Sequence, residues 1–314
     1  MDERALNEFE SVFEASVRPR VDIAPIAWTR IVVALDGSDR DASGVAAAAH
    51  LARRVKCPVH LLATRAALEG EDEAALRSAL DERLVAARAQ VEEAGLELDG
   101  RVAVGSPGEV LLAELESAPT SLVVVPTPHG GQTPDATTLG STVDHLLRVA
   151  DTPALLVKAP IAEPAKVFER LLAYLPGGFE VGPHFSIPFG LVEPQGELEL
   201  MHVVNADEVH RYAAAFQVTA DGDDEASKAA AMIRGIEAQM TALLRAAVAQ
   251  VRDEPFECRS TVTQGNPVQQ VALHLVNRRT TLLVVESESR PETPVSPEAY
   301  TLLKEITGVP VLAL

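Results

Sequence analysis

The stretch Arg30–Leu35 reads RIVVAL, and the stretch Arg170–Leu175, 140 positions later, reads RLLAYL. Each is a short, continuous apolar run that begins with an arginine. Runs of this kind, bounded by glycine, proline or aspartate, are typical of strands buried on both faces of a parallel sheet. The two stretches therefore predict the same first strand in two copies of one structural unit.

Further segments of the chain repeat in the same order. The pairs are His60–Thr64 with Leu200–Val204; Gly105–Pro107 and Leu122–Val125 with Gly265–Pro267 and Leu282–Val285; and Thr152–Val157 with Gly308–Ala313. Together with the first pair, these matches predict a tandem duplication.

Helical patterns lie between the apolar runs. In the first copy they cover Asp41–Val55, Glu71–Ala94, a segment that starts at Pro107, and Ser141–Val149. Alternation of strands with helices is typical of a parallel sheet that carries helices on both faces. We predict an α/β fold of two tandem doubly wound domains with five parallel strands each, at residues 29–160 and 166–314.

Residues 1–28 form an extension before the first predicted domain. Their apolar positions Leu6, Phe9, Val12 and Phe13 predict a short amphipathic helix. The polar face of this helix is acidic rather than basic. We therefore expect it to pack on the body of the protein or on another subunit, and not to anchor a membrane.

The composition argues against several classes of protein. A net charge of −19 repels nucleic acid and anionic lipid, and no basic patch offsets it. No apolar stretch reaches the roughly 18–20 residues of a membrane helix, and the acidic start does not resemble a secretory signal. The two cysteines, Cys57 and Cys258, are too few for a disulfide framework or a cysteine-based zinc site. We expect a cytoplasmic protein.

Glycines follow the strand at Val123–Pro126. Gly130 and Gly131 come first, and Gly140 then precedes a helix that begins with Ser141 and Thr142. Glycine allows a close approach to the backbone, and the amino end of a helix favours an anion. The pattern predicts an anion site, although a plain helix cap gives the same pattern.

Several motifs together resemble the universal stress protein family. They are IVVALDGS at 31–38, Gly105-x-Pro107, Thr127-x-x-Gly130 followed after nine residues by Gly140-Ser141, and DTPALLV at 151–157. The resemblance covers most of 30–158 and, more faintly, 166–314. It implies a fold like that of the adenine nucleotide alpha hydrolases, in which Ala154–Val157 and Val311–Leu314 pair within the chain as a pseudo-dimer. Whether whole chains form a homodimer, for instance through residues 1–28, is left open.

The resemblance also implies a set of binding residues. Members of that family that bind ATP or a related adenine nucleotide use Gly-x-x-Gly-(nine residues)-Gly-Ser/Thr and an aspartate that ends the first strand. Residue by residue, this implies Ala34 and Asp36 at the ribose and adenine, the backbone of Thr64 at the adenine, and Thr127, Gly130, Gly140, Ser141 and Thr142 in the phosphate loop. His129 is either a ligand contact or an exposed loop histidine.

The sequence departs from that motif at Thr127, which stands where the family has its first glycine. A positive φ or a close ligand approach at this position would strain or block a β-branched residue. Residues 127–142 also contain no lysine or arginine. ATP, ADP or AMP would therefore depend on backbone donors and on Mg²⁺ or Mn²⁺. No protein-bound metal site and no catalytic residue is predicted.

The second copy departs further from the motif. Pro176 stands where the first copy has Asp36, and Glu286–Ser289 replaces the phosphate loop. Carboxylates without a glycine-rich turn repel phosphate. We predict a degenerate site whose role is structural or partner-facing.

Three functions remain open. The first is a stress-response regulator whose first domain binds an adenine nucleotide as a sensor and passes its state to a protein partner. The second is a scaffold of the same fold that has lost the nucleotide. The third is a nucleotide hydrolase or ligase, which we rank last because no positioned base or cationic phosphate clamp is found. Slow ATP hydrolysis would be compatible with the first.

Overall fold

A computed structural model describes residues 20–21, 23–92, 96–127, 138–176, 180–181, 186–206, 209, 225–286 and 295–314. Strands and helices alternate along the chain. The strands are β1 (Arg20–Val21), β2 (Ile31–Leu35), β3 (Val59–Arg65), β4 (Leu98–Val104), β5 (Leu122–Pro126), β6 (Ala154–Val157), β7 (Arg170–Tyr174), β8 (Glu180–Val181), β9 (Glu197–Val204), β10 (Glu257–Gln264), β11 (Leu282–Val285) and β12 (Val311–Ala313). The helices are α1 (Arg40–Val55), α2 (Glu73–Glu92), α3 (Pro107–Ser117), α4 (Ser141–Val149), α5 (Ser186–Leu191), α6 (Glu225–Gln250), α7 (Pro267–Arg278) and α8 (Pro297–Glu305), with a 3₁₀ turn at Pro164–Lys166.

One ten-stranded sheet runs through the molecule in the order β10-β9-β7-β11-β12-β6-β5-β2-β3-β4. Strands β2 to β6 are parallel to one another and form the first half of the molecule. Strands β7 and β9 to β12 form the second half in the same way. The predicted tandem doubly wound fold is confirmed.

The two halves join through one antiparallel pair. Strand β12 lies beside β6, with Leu312 opposite Leu155 and Ala313 opposite Ala154. This is the pairing of final strands that the resemblance implied. The chain therefore forms a pseudo-dimer with itself.

Both faces of the sheet are covered by helices, because the strands are apolar on both sides. Helices α1, α2, α5 and α6 pack on one face, and α3, α4, α7 and α8 pack on the other. Each of the two cores contains buried residues from both halves, such as Leu146 and Leu302 in the second core. The halves thus share their hydrophobic interior, which favours cooperative unfolding.

The segment before β2 crosses to the second half. The amide of Ala24 donates to Ser186 Oγ at 2.9 Å, and a Cβ on Gly190 would lie 2.9 Å from Ile26 Cδ1. Strand β1 pairs with β8. This part of the extension packs on the body. The predicted apolar stripe of residues 6–13 lies outside the described residues.

A buried contact between histidine and glutamate occurs in each half, with the two positions exchanged. In the first half, Nε2 of His60 on β3 lies 3.3 Å from Oε1 of Glu114 on α3. In the second half, Glu199 on β9 lies 2.9 Å from His274 on α7. Strands β3 and β9 pair with β2 and β7 in the same register, which aligns His60 with Glu199 and corrects by one residue the repeat match of His60 with Leu200. Glu114 and His274 occupy equivalent helix positions.

The neighbours of these contacts are exchanged as well. Asp99 on β4 lies 3.2 Å from His60, and the equivalent residue on β10, Arg259, lies 3.2 Å from Glu199. Burial acts to raise the pKa of Glu114, but a hydrogen bond from Arg101 and the nearby positive charges hold this pKa below its usual value. Each half therefore keeps a carboxylate paired with cationic groups, whichever element supplies it.

Candidate functional site

Three predicted site residues lie at the carboxyl ends of neighbouring strands. Asp36 follows β2, Thr64 is near the end of β3, and Thr127 follows β5. Each residue lies two positions after a member of the core between the sheet and helices α3 and α4. Because side chains alternate between the faces of a sheet, the three lie on the face that carries these helices. Ala34 belongs to the same core and offers only a methyl group there. Ligands of doubly wound sheets bind at this edge.

The amino end of α4 faces the same edge. Its N-cap is Gly140, which has φ 99° and no side chain that could cap the amides of the first turn. Ser141 and Thr142 are the first two helical residues. The aligned amides give this end a partial positive charge. The structure therefore leaves an uncapped helix terminus beside the strand ends.

A buried cation, Arg40, joins β2 to β5. Its Nη1 donates to the carbonyl oxygen of Thr127 at 2.7 Å, its Nε donates to Ser38 Oγ at 2.9 Å, and its Nη2 lies 3.2 Å from Asp36 Oδ2. Only 9% of the Arg40 side chain is exposed. Arg40 was not among the predicted site residues, because it lies far along the chain from the predicted phosphate loop at 127–142. The four-residue spacing from Asp36 to Arg40 was the available signal.

A carboxylate closes the turn between β2 and α1. Asp41 accepts the amides of Gly37 at 2.8 Å and of Asp36 at 3.1 Å. Gly37 has φ 82°, a conformation that favours glycine. Burial raises the pKa of Asp41 to about 6, and these two hydrogen bonds oppose the rise. The turn is thus held from inside, with the Asp36 side chain 41% exposed at the edge.

Two hydroxyl groups are buried at this edge without a partner among the described residues. They are Oγ1 of Thr64 and Oγ1 of Thr127, and the latter residue is 1% exposed. A buried polar group that lacks a hydrogen bond costs free energy in the unliganded protein. Of the two obstacles predicted at Thr127, backbone strain is absent, because this residue is not among the described non-glycine residues with positive φ.

The predicted phosphate loop falls partly in a segment that is not described. His129 and Gly130 lie outside the described residues, as do residues 287–294 of the second half. Within the described parts of the chain, no group of three or more histidine, cysteine or acidic residues is arranged to hold a metal ion. The described helices include none that is long and apolar enough to cross a membrane.

The equivalent corner of the second half is filled by its own side chains. Tyr174 occupies the position that Ala34 has in the first half, and it is fully buried. Its hydroxyl group is hydrogen-bonded to Glu298, in the first turn of α8, the counterpart of α4. An aromatic ring and a carboxylate thus lie where the first half has a methyl group and an uncapped helix end.

Residues 27–158 match the model of the universal stress protein family. One universal stress protein domain therefore lies in the first half. The match ends directly after β6, and the residues at the edge described above fall within it.

Solved structures with the same fold cover almost the whole chain. A universal stress protein from Archaeoglobus fulgidus DSM 4304 aligns with 16% identity over 90% of this chain and 97% of its own, with a TM-score of 0.63. A functionally unknown protein from Pseudomonas aeruginosa PAO1 aligns with 17% identity over 92% of each chain, with a TM-score of 0.56. At these identities the likeness establishes the fold of both halves and nothing further.

A smaller universal stress protein from Archaeoglobus fulgidus was solved in complex with dAMP. It aligns with 20% identity over 42% of this chain and 100% of its own, with a TM-score of 0.34. No curated protein matched the sequence.

Proposed function

We propose that the first half binds an adenine nucleotide and that the protein acts as a nucleotide-responsive regulator in the stress response. The observation that carries this proposal is the pair of buried hydroxyls, on Thr64 and Thr127, that have no partner among the described residues and lie at the same sheet edge as the uncapped amino end of α4. Polar atoms buried without a partner are expected to be satisfied by a bound group. The family match over residues 27–158 makes an adenine nucleotide the first candidate.

Each residue has a defined part in this proposal. The exposed carboxylate of Asp36 accepts hydrogen bonds from the ribose, and the methyl group of Ala34 leaves room for the sugar and base. The backbone of Thr64 contacts the adenine. The phosphates lie against Gly140, Ser141 and Thr142, with Thr127, His129 and Gly130 in the same loop.

Arg40 supplies a positive charge at the proposed phosphate site. The sequence suggested that a triphosphate would have only backbone donors and a divalent metal ion, but a guanidinium group lies at the carbonyl of Thr127. Although Asp36 pairs with this cation, a guanidinium group at the same sheet edge lowers the cost of placing phosphate charge there. AMP and ADP are therefore bound without metal, and Mg²⁺ or Mn²⁺ adds affinity mainly for ATP.

The proposed role is sensing rather than catalysis. No described group stands out as a base for an attacking water, and Asp41 is occupied by two amides. Residues 29–160 form the nucleotide-binding domain, residues 166–314 form a domain with a degenerate site, and residues 1–28 form an extension. A cytoplasmic location is part of this proposal, and the free thiols of Cys57 and Cys258 are compatible with it. The protein partner is unidentified.

A second function, a scaffold without a nucleotide, is favoured by one observation. The Asp36 carboxylate already accepts the amide of Ser38 at 2.8 Å and contacts Arg40, so the first strand end is satisfied without a ligand. In a scaffold of this kind, the contacts of Asp36 with Ser38 and Arg40 take the place of contacts with a nucleotide. The two functions differ in whether Asp36 exchanges a protein contact for a ribose hydroxyl.

Isothermal titration with ATP, ADP and AMP, each with and without Mg²⁺, tests the proposal. We expect one site per chain with a micromolar to submillimolar Kd. Asp36→Asn should weaken binding about tenfold, because ribose hydroxyls lose an ionised acceptor. The control, Asp151→Asn, changes an exposed residue before β6 and should leave the Kd unchanged. An absence of binding at millimolar nucleotide would leave the scaffold; steady turnover dependent on one side chain would favour an enzyme.

A further inference from the structure

The amino end of α4 is held by a side chain from the second half. The hydroxyl of Tyr300, on α8, donates to Asp144 Oδ1 at 2.9 Å and accepts the amide of Leu139 at 3.3 Å. Leu139 directly precedes Gly140, and Asp144 lies in the first turn of α4. One phenol therefore contacts both sides of the turn that leads into this helix.

Helix α8 is itself fixed at both ends. Near its amino end, Glu298 is hydrogen-bonded to the buried hydroxyl of Tyr174. At its carboxyl end, Nζ of Lys158 donates to the carbonyls of Leu303 and Ile306, the latter at 2.5 Å. Lys158 is 3% exposed and follows β6 of the first half. Tyr300 is thus presented by a helix that is tied to both halves.

The arrangement is not symmetric. Tyr300 and Asp144 occupy equivalent positions of α8 and α4, but only the second half supplies the phenol. Helix α8 is capped by its own chain, since Ser296 Oγ accepts the amide of Ala299 at 3.1 Å. Helix α4 has Gly140 in that place and no side-chain cap. The second half therefore supports the uncapped amino end of α4 in the first half, while its own helix α8 is capped.

We propose that Tyr300 is a positioning residue for the phosphate groups of the ligand. By holding Leu139 and Asp144, it keeps the first-turn amides of α4 aimed at the strand edge before any ligand arrives. Preorganised donors cost less to order on binding. This inference rests on the proposed function, and it makes the second half a working part of the site in the first.

Hydrogen exchange in the ligand-free protein measures the positioning directly. Tyr300→Phe removes only the hydroxyl and should accelerate exchange of amides 138–142 at least threefold, because Leu139 loses its acceptor. The matched control is Thr301→Val, which removes a hydroxyl from the next residue of α8, where it donates to Pro297. The control should leave exchange of 138–142 unchanged.

Titration with ATP, tripolyphosphate and adenosine separates positioning of the phosphate groups from a general loss of structure. Tyr300→Phe should weaken the binding of ATP and of tripolyphosphate about three- to tenfold, which is the effect of one lost hydrogen bond. Adenosine, which has no phosphate, should bind within twofold of its wild-type affinity. A merely structural role of Tyr300 would weaken adenosine and ATP alike.

Each outcome decides the matter. Faster exchange at 138–142 together with a loss confined to the phosphate-bearing probes supports the inference. Unchanged exchange, unchanged ATP affinity, or an equal loss for adenosine overturns it while leaving the proposed function intact if the wild type binds ATP. A wild-type protein that binds none of the three probes overturns the proposed function and this inference with it.

Discussion

At the scale of single residues, the site combines groups that a stable protein usually avoids. Thr64 and Thr127 bury hydroxyls that have no partner in the described part of the chain, and Asp41 carries a half-buried carboxylate whose pKa rises to about 6. Side chains of this kind reduce stability unless another group, such as a ligand, satisfies them. Their concentration at one sheet edge is the pattern expected of a binding site.

Replacing Thr127 by valine should separate stability from binding. The substitution keeps the shape of the side chain and removes a hydroxyl that has no partner among the residues described around it, so we expect the free energy of unfolding to rise by about 0.5–1.5 kcal/mol. Nucleotide binding should weaken about three- to tenfold. Urea unfolding and titration calorimetry measure the two effects. The same substitution at Thr281 removes a hydroxyl that bonds to the carbonyls of Val167 and Arg170, and it should destabilise instead. A destabilised Thr127→Val would mean that its hydroxyl has a partner.

The half-buried carboxyl of Asp41 predicts a pH dependence of the free energy of unfolding. Its pKa in the folded protein, about 6, lies above the ordinary value of 3.8, so the folded state binds the extra proton between those pH values. Stability of the wild type should therefore fall, relative to Asp41→Asn, as the pH rises from about 4 to above 6. Allowing for solvent screening, we expect a change of roughly 1–2 kcal/mol.

Unfolding in urea at several pH values tests this dependence. The control is Asp39→Asn at the neighbouring N-cap, which removes a carboxyl group from the same turn and whose side chain makes no cap hydrogen bond. Parallel curves for wild type and Asp41→Asn would contradict the raised pKa.

At the scale of secondary-structure elements, the sequence predicted the central strands of each half more fully than the contacts around the candidate site. Apolar runs and the repeat identified each central strand, because burial on both faces leaves a signal in every residue. Tyr300 was not predicted, since it acts through contacts with residues more than 150 positions away. For Arg40 the spacing from Asp36 was a local signal, but its contact with Thr127, 87 positions away, was not. Such contacts depend on tertiary packing, which local patterns do not contain. The Tyr174 ring that fills the second site was missed for the same reason.

The exchanged histidine–glutamate pairs allow a test between elements. His60→Glu places a carboxylate beside Glu114 and Asp99, and we expect it to destabilise the protein by about 3 kcal/mol or more. The double variant His60→Glu/Glu114→His reproduces the order found in the second half. A double-mutant cycle in urea should give a favourable coupling of about 1–3 kcal/mol. Additive effects would show that the pair acts independently in this half.

At the scale of the whole molecule, the two halves share both cores and one continuous sheet. The closure depends on β12, whose Leu312 is fully buried opposite Leu155. Unfolding of one half would expose apolar surface of the other. We therefore expect the two halves to unfold together rather than in two steps.

Leu312→Asp tests this cooperativity. A carboxylate at the centre of the sheet has no partner and should cost at least about 3 kcal/mol, while urea unfolding stays a single transition. Leu273→Asp on the exposed side of α7, where the leucine is 57% exposed, should change stability by less than about 0.5 kcal/mol. Two separate transitions in the Leu312→Asp variant would show that the halves fold independently.

The antiparallel join between β6 and β12 lies within one covalent chain, which has a consequence for stoichiometry. Separate subunits that pair through edge strands dissociate on dilution and exchange with other copies. Two domains in one chain pair at a fixed, high effective concentration instead. Every molecule must then carry one open helix end and one closed one. Saturation at one nucleotide per polypeptide should hold from nanomolar to millimolar protein.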